Sequence, residues 1–265
     1  MSQHPIPVLL YEIIQDLRAR HRERAPLIGV AGAQGSGKSY HCRLLAMANQ
    51  PRYAHFSLDD VYRSRTYREE LATETHPLFI TRGPPGTHDL ELASQTIERI
   101  RRADPSVRLP RFDKLKDDIV PANDWPPFPG PAEAIIFDGW CLGADSLDAA
   151  SLDALVNALE RNEDVTGVWR ETVAYELRAN YQPFFLTFDA LVYLQAPSWE
   201  IVRTWRGQQE EAARGRPLTP EENAALDRFV MHYERITRAM LDGRHRAKWI
   251  VHLDEARNVT RIEER

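Results

Sequence analysis

Eight consecutive residues carry the densest chemistry in the chain. Gly32-Ala33-Gln34-Gly35-Ser36-Gly37-Lys38-Ser39 fits the pattern G-x-x-x-x-G-K-[ST] at every fixed position. Glycines at 32, 35 and 37 let the backbone turn tightly and approach a ligand, so that successive N–H groups converge on phosphate oxygens. A helix starting near Lys38 adds its positive end. Lys38 supplies a cation to the β and γ phosphates, and the Ser39 hydroxyl is suited to Mg²⁺. With Tyr40 beside them, residues 32–39 are expected to bind ATP and Mg²⁺.

Two further stretches carry acids. Asp138-Gly139-Trp140 follows the apolar run 134–137, so Asp138 ends a predicted strand. There it either holds Mg²⁺, directly or through water, or merely opens a turn before glycine. Ser57-Leu58-Asp59-Asp60-Val61-Tyr62 ends another predicted strand. Ligands of α/β proteins bind at the carboxyl ends of parallel strands, so Asp59 or Asp60 can take a proton from an acceptor hydroxyl, leaving the other to cap the following helix.

Elements that position these residues are readable from periodicity. Apolar runs at 27–31, 53–58, 134–137, 190–194 and 249–253 predict strands, and the uninterrupted 134–137 run predicts one buried on both faces. An amphipathic pattern predicts an N-terminal helix over about 7–24. Leu90, Ala93, Ile97 and Ile100 mark a second helix face, with acids in its first turn and arginines in its last. Thr219-Pro220-Glu221-Glu222 predicts a capping box with proline at the first helical position, followed by a buried face through Leu226, Phe229, Val230, Tyr233, Ile236 and Met240. The proline-rich 121–131 segment predicts a loop. Strands alternating with helices give an α/β fold of the P-loop NTPase type, a mainly parallel sheet covered on both faces, read as a single domain over 1–265.

Composition narrows the function classes. With 265 residues, 43% of them hydrophobic, the chain can bury one large α/β core. A formal charge of -5 argues against bulk electrostatic binding of nucleic acid. Cys42 and Cys141, far apart and in no metal-binding spacing, are expected to be reduced, packed thiols. No stretch of about 18 apolar residues occurs, so neither a membrane span nor a membrane partner is expected, and a cytoplasmic location follows. Nothing in the sequence fixes an oligomeric state.

Taken in order, residues 29–39, 57–62, 82–89, 109–114, 137–143, 205–211 and 229–233 resemble the P-loop small-molecule kinases that include uridine kinase, phosphoribulokinase and bacterial pantothenate kinase, above all their D-glycerate 3-kinase branch. The resemblance implies ATP-dependent phosphorylation of a small-molecule acceptor, with Asp59 as the base. It makes Arg82-Gly83-Pro84-Pro85-Gly86-Thr87-His88-Asp89 the acceptor-side loop, where Arg82 and His88 either contact an anionic acceptor or serve as a surface ion pair and a helix cap. Arg111 and Lys114 are further candidates to pair with an acceptor carboxylate. The same resemblance makes residues 199–216 a helical lid, in which Arg206 or Arg203 stabilises charge on the transferring group or belongs to a solvated helix face. Two departures stand out. The family's Glu-Gly-Trp is Asp138-Gly139-Trp140 here, and Leu115-Lys116-Asp117-Asp118 replaces a glycine-rich turn.

These readings lead to an ATP- and Mg²⁺-dependent kinase for D-glycerate or a similar hydroxy acid. The alternatives are a kinase for a nucleoside, a sugar phosphate or a pantothenate-like acid, or a nucleotide switch with little transferase activity.

Overall fold

The structure, a computed structural model, describes residues 5–20 and 23–265. Eight strands occur among them: β1 (Leu27–Gly32), β2 (Tyr53–Ser57), β3 (Phe112–Asp113), β4 (Asp118–Ile119), β5 (Ala134–Gly139), β6 (Ala190–Gln195), β7 (Trp249–Leu253) and β8 (Val259–Glu264). The helices are α1 (Pro5–Arg20), α2 (Lys38–Ala48), α3 (Arg65–Glu74), α4 (Leu90–Arg101), α5 (Ala149–Asp153), α6 (Ala158–Glu163), α7 (Val168–Glu176), α8 (Gln182–Phe185), α9 (Trp199–Arg214) and α10 (Pro220–Leu241). Six strands form one sheet in the order β2-β5-β1-β6-β7-β8. Its first five members, the five strands predicted from apolar runs, are parallel, and β8 closes the edge antiparallel. β3 and β4 pair as a separate short hairpin.

Alternation along the buried strands feeds two cores, one on each face. Leu27, Ala31, Ile135, Phe137 and Tyr193 point into one, beneath α4, α7 and much of α10. Ile28, Val30, Ile136, Val192 and Leu194 point into the other, against α1, α2 and α9. Each large apolar side chain so removed from water contributes about 1.5–3 kcal/mol. Because helices cover both faces, β1 and β5 are buried at every residue.

Local chemistry sets the ends of several elements. Thr219 caps α10, accepting from the Glu222 N–H while the Glu222 carboxylate accepts from the Thr219 N–H at 2.9 Å, with Pro220 at the first helical position. Predicted strand 53–58 stops at Ser57, where Asp60 turns the chain into a 3₁₀ turn over Leu58–Asp60. The N-terminal helix ends its described course at Arg20, short of the predicted 24. Residues 21–22 lie outside the described residues, and Glu23 and Arg24 are in a turn and a bend. From Arg18 to Arg24 the sequence has no large apolar side chain to anchor a longer helix. β8 escaped the sequence reading because it is a charged, exposed edge strand without an apolar alternation. In the 121–131 segment the only regular element is a 3₁₀ turn, Ala122–Asp124. Among the described residues no helix is long and apolar enough to cross a membrane.

Candidate active site

Sheet order brings the sequence motifs together. β5 lies between β1 and β2, and Asp138 is in register with both Val30 and Ser57. The glycine-rich loop after β1, the acid on β5 and the turn after β2 therefore meet at one end of the sheet, where strand carboxyl ends bind ligands in open α/β folds. A cleft of about 820 Å³ opens there, lined by Lys38, Ser39, Asp59, Arg82, Lys114 and Arg206 among others.

The nucleotide side of this cleft is built from backbone. Gly35 and Gly37 have positive φ, 76° and 87°. A Cβ on Gly35 would come within 2.6 Å of Trp205 Cβ, so glycine is required there by packing as well as by conformation. Gly37 is the N-cap of α2 and provides no side-chain cap, which leaves first-turn N–H groups of that helix available to an anion. The Ser36 hydroxyl is buried without a hydrogen-bond partner, another donor suited to phosphate. Arg257 donates to the Gly35 carbonyl at 2.6 Å and lies 4.9 Å from the Trp205 ring centre, bracing the loop from behind. Lys38 makes no ion pair among the described residues. The cradle thus fits a polyphosphate.

Asp138 is nearly fully buried. Ser39 Oγ donates to its Oδ2 at 2.5 Å, and His55 Nε2 lies 2.7 Å from its Oδ1. Cys42, His55 and Asp138 have ligand atoms within 4.8 Å of one another. The thiol is held above its ordinary pKa, first by burial and then by the Asp138 charge, so it is a neutral packed group as the sequence reading expects. The hydroxyl of Ser39 and the carboxylate of Asp138 are the hard oxygen donors that Mg²⁺ prefers.

The two acids after β2 have different surroundings. Asp60 Oδ2 accepts from the backbone N–H and hydroxyl of Ser57, both at 2.9 Å, so Asp60 is a cap. Arg111 pairs with Asp60 at 3.4 Å and does not line the cleft. Asp59 faces the cleft, accepting from Tyr62 Oη at 2.7 Å and from Lys114 Nζ at 2.6 Å. Burial alone would raise its pKa, but Lys114 and Lys38 outweigh that and hold the carboxyl below the usual carboxylate range.

Arg82 lines the cleft and is ion-paired with Asp117. Its loop is clamped through its backbone: Tyr233 Oη donates to the Arg82 carbonyl at 2.8 Å and Trp140 Nε1 to the Gly83 carbonyl at 3.0 Å. His88 does not reach the cleft. It is buried against Tyr62, joined through Nδ1 to Tyr181 Oη at 2.6 Å, and lines a separate cavity of about 570 Å³ behind the loop. Nor does it cap a helix, since Asp89 caps α4 by accepting from Leu92 N at 2.9 Å. Burial pushes the His88 pKa down to about 3, so the ring is neutral.

Of the two candidate lid arginines, Arg206 lines the cleft, paired with Glu210 and 5.7 Å from the Phe229 ring centre. Arg203 does not. Its guanidinium is taken up by Asp227 and Asn223 of α10. The first half of α9 is core, with Trp199, Val202 and Trp205 buried, so only its second half borders the cleft. The sequence reading missed Tyr62, Trp140 and Tyr233 as site residues although each lies in a stretch it singled out. Arg257 and His55 carry no local signal at all.

Comparison with known proteins agrees with this fold. An uncharacterised kinase of Schizosaccharomyces pombe, mug58, is 31% identical over 241 residues, spanning 84% of this chain and 86% of that protein. The chain belongs to the P-loop small-molecule kinases. The kinase is also 27% identical over 219 residues to the chloroplastic D-glycerate 3-kinase of Arabidopsis thaliana, covering 78% of this chain and 46% of that one. Its fold matches a D-glycerate 3-kinase structure from Cryptococcus neoformans with a TM-score of 0.78 at 24% identity, over 98% of this chain and 99% of that one. No family profile matches the kinase. It transfers phosphoryl groups from ATP to a small metabolite.

Proposed function

We propose that the acceptor is a small hydroxy acid, D-glycerate first. The observation that carries this reading is the charge arrangement around Asp59: Lys114 lies 2.6 Å from it and Arg82 lines the same cleft, so a hydroxyl beside the base would have its carboxylate among cations. Two of the relatives are named D-glycerate 3-kinases, which supports the specific choice.

In this reading Asp59 accepts the acceptor hydroxyl proton. Lys38 and Arg206 neutralise charge on the phosphoryl group, and the backbone of residues 32–39 holds the remaining phosphates in place. Ser39 and Asp138 would hold Mg²⁺, which would neutralise phosphate charge. Asp60 and Arg111 form a structural pair, and His88 supports the loop from behind.

Coupled ADP release measured with D-glycerate, L-glycerate, uridine, pantothenate and ribulose 5-phosphate at equal concentration tests the acceptor. D-Glycerate is expected to be fastest, and Arg82→Ala to raise its KM. A neutral nucleoside outperforming every acid, or an acid KM indifferent to Arg82→Ala, would sink the reading.

A further inference from the structure

Both oxygens of Asp59 are already engaged, Oδ1 by Tyr62 and Oδ2 by Lys114. A carboxylate whose proton affinity is satisfied by an ammonium at 2.6 Å is a poor acceptor for a hydroxyl proton. If Asp59 is the base, the arrangement in the structure holds it in check.

The cations of the cleft differ in how firmly they are held. Arg82 is tied to Asp117, whose Oδ2 also binds the fully buried Arg68 at 3.0 Å. Arg68 in turn donates to the carbonyls of Ile80 and Asp117, both at 2.7 Å, so this network is fixed from inside. Lys114 has a single ion-pair partner among the described residues, Asp59, and its side chain is 54% exposed. It stands at the turn of the short β3–β4 hairpin, next to Leu115, which is 99% exposed. A lysine is a point charge on a flexible four-carbon stem and can change partners without moving backbone.

We propose that Lys114 restrains Asp59 until an anionic acceptor draws the ammonium away, so that the acceptor's own charge switches the base on. The inference rests on the hydroxy-acid reading of the cleft. With the acceptor carboxylate between Arg82 and Lys114, the ammonium moves from Asp59 Oδ2 to the ligand, and that oxygen turns free to the acceptor hydroxyl. The hydroxyl oxygen then bonds to the γ phosphorus, the bond to the β,γ-bridging oxygen breaks with its electron pair leaving on ADP, and the hydroxyl proton passes to Asp59. Neutral acceptors, and water, meet a base still covered. Selectivity for acids is thereby exercised on turnover as well as on binding, and ATP is protected from hydrolysis while no acceptor is present.

Lys114→Met tests this with three readings of ADP release: no acceptor, glycerol, and D-glycerate. Glycerol keeps the carbon skeleton and hydroxyls and lacks the carboxylate. Uncovering the base should raise acceptor-free and glycerol-dependent release by about tenfold, while the KM for D-glycerate also rises. In Asp59→Asn/Lys114→Met the rise should vanish. Acceptor-free and glycerol rates that stay at or below the wild-type level, with only the glycerate KM raised, would show that Lys114 binds substrate without restraining the base and would overturn the proposal. So would a rise that survives the loss of Asp59. A wild-type enzyme that accepts no hydroxy acid would instead defeat the reading of the acceptor, and the acceptor-free rate of Lys114→Met would still report on the restraint.

Discussion

The two halves of the cleft are built by different means. On the nucleotide side one continuous segment supplies glycines at positive φ, an uncapped helix end and Lys38, which has no ion pair among the described residues, with β1 buried and Trp205 packed behind Gly35. On the acceptor side, residues from 59 to 233 contribute side chains, and the cations there are already paired with acids: Arg82 with Asp117, Lys114 with Asp59. A backbone cradle is preorganised and indifferent to what the acceptor is. Arg82 is held by the Asp117–Arg68 network, whereas Lys114, on a flexible stem, can exchange partners and so make reaction depend on the ligand that arrives.

Breaking the nucleotide side should cost most. Lys38→Ala removes a cation of the cradle that has no ion pair among the described residues and is expected to lower turnover by about 10³ or more and to weaken ATP binding. Coupled ADP release and calorimetric titration with ATP and Mg²⁺ measure the two effects. Unchanged affinity and turnover would erase the distinction between the halves. Asp59→Asn should lower turnover by about 10² to 10⁴ with ATP affinity nearly unchanged, because a base acts on the acceptor. Asp60→Asn should cost less in turnover, because Asp60 is a cap for Ser57 and an amide oxygen can still accept there. If Asp60→Asn were the more damaging to turnover, the assignment of the base would be wrong.

Smaller changes sharpen the boundary. Arg206→Ala should reduce kcat by about tenfold, more than it raises the KM for ATP, since the guanidinium borders the cleft where charge redistributes. Arg203→Ala should lose the half-exposed contacts with Asp227 and Asn223, about 1 kcal/mol of stability, at normal kcat. Gly83→Ala probes the acceptor loop alone. Gly83 has φ 119°, and a Cβ there would meet Tyr233 Oη at 1.9 Å. The loop must shift, raising the acceptor KM and costing about 1–3 kcal/mol, with the KM for ATP unaffected. A matching rise in the ATP KM would mean that the halves are mechanically one.

The smallest effect is a slope. Folded His88 stays neutral down to about 3, whereas in the unfolded chain it takes a proton below its ordinary 6.5. Between those values the unfolded state binds more protons, so stability falls as pH drops through that window. His232 and His245, both pushed down to about 4 chiefly by burial, act in the same direction. His88→Gln should therefore flatten, without abolishing, the fall in melting temperature between about pH 7 and about pH 5. An unaltered slope would mean that His88 titrates alike in both states.

By itself the sequence determined the five parallel strands, the capped α10, the phosphate cradle and the acid on β5. These follow from short-range causes: apolar runs that must be buried, glycines that must turn, a threonine that must satisfy an N–H three residues on. Only the tertiary structure decided which side chains share the cleft. Strand order put Asp138 beside both Val30 and Ser57, and the packing of α9 turned Arg206 to the cleft while Arg203 went to Asp227 three residues earlier on the same helix. The hairpin brought Lys114 across 55 residues onto Asp59, and the end of the chain supplied Arg257 to a carbonyl 222 residues away. Such contacts leave no periodicity and no motif, because an ion pair needs only two charges that the fold brings within reach, whatever their separation along the chain.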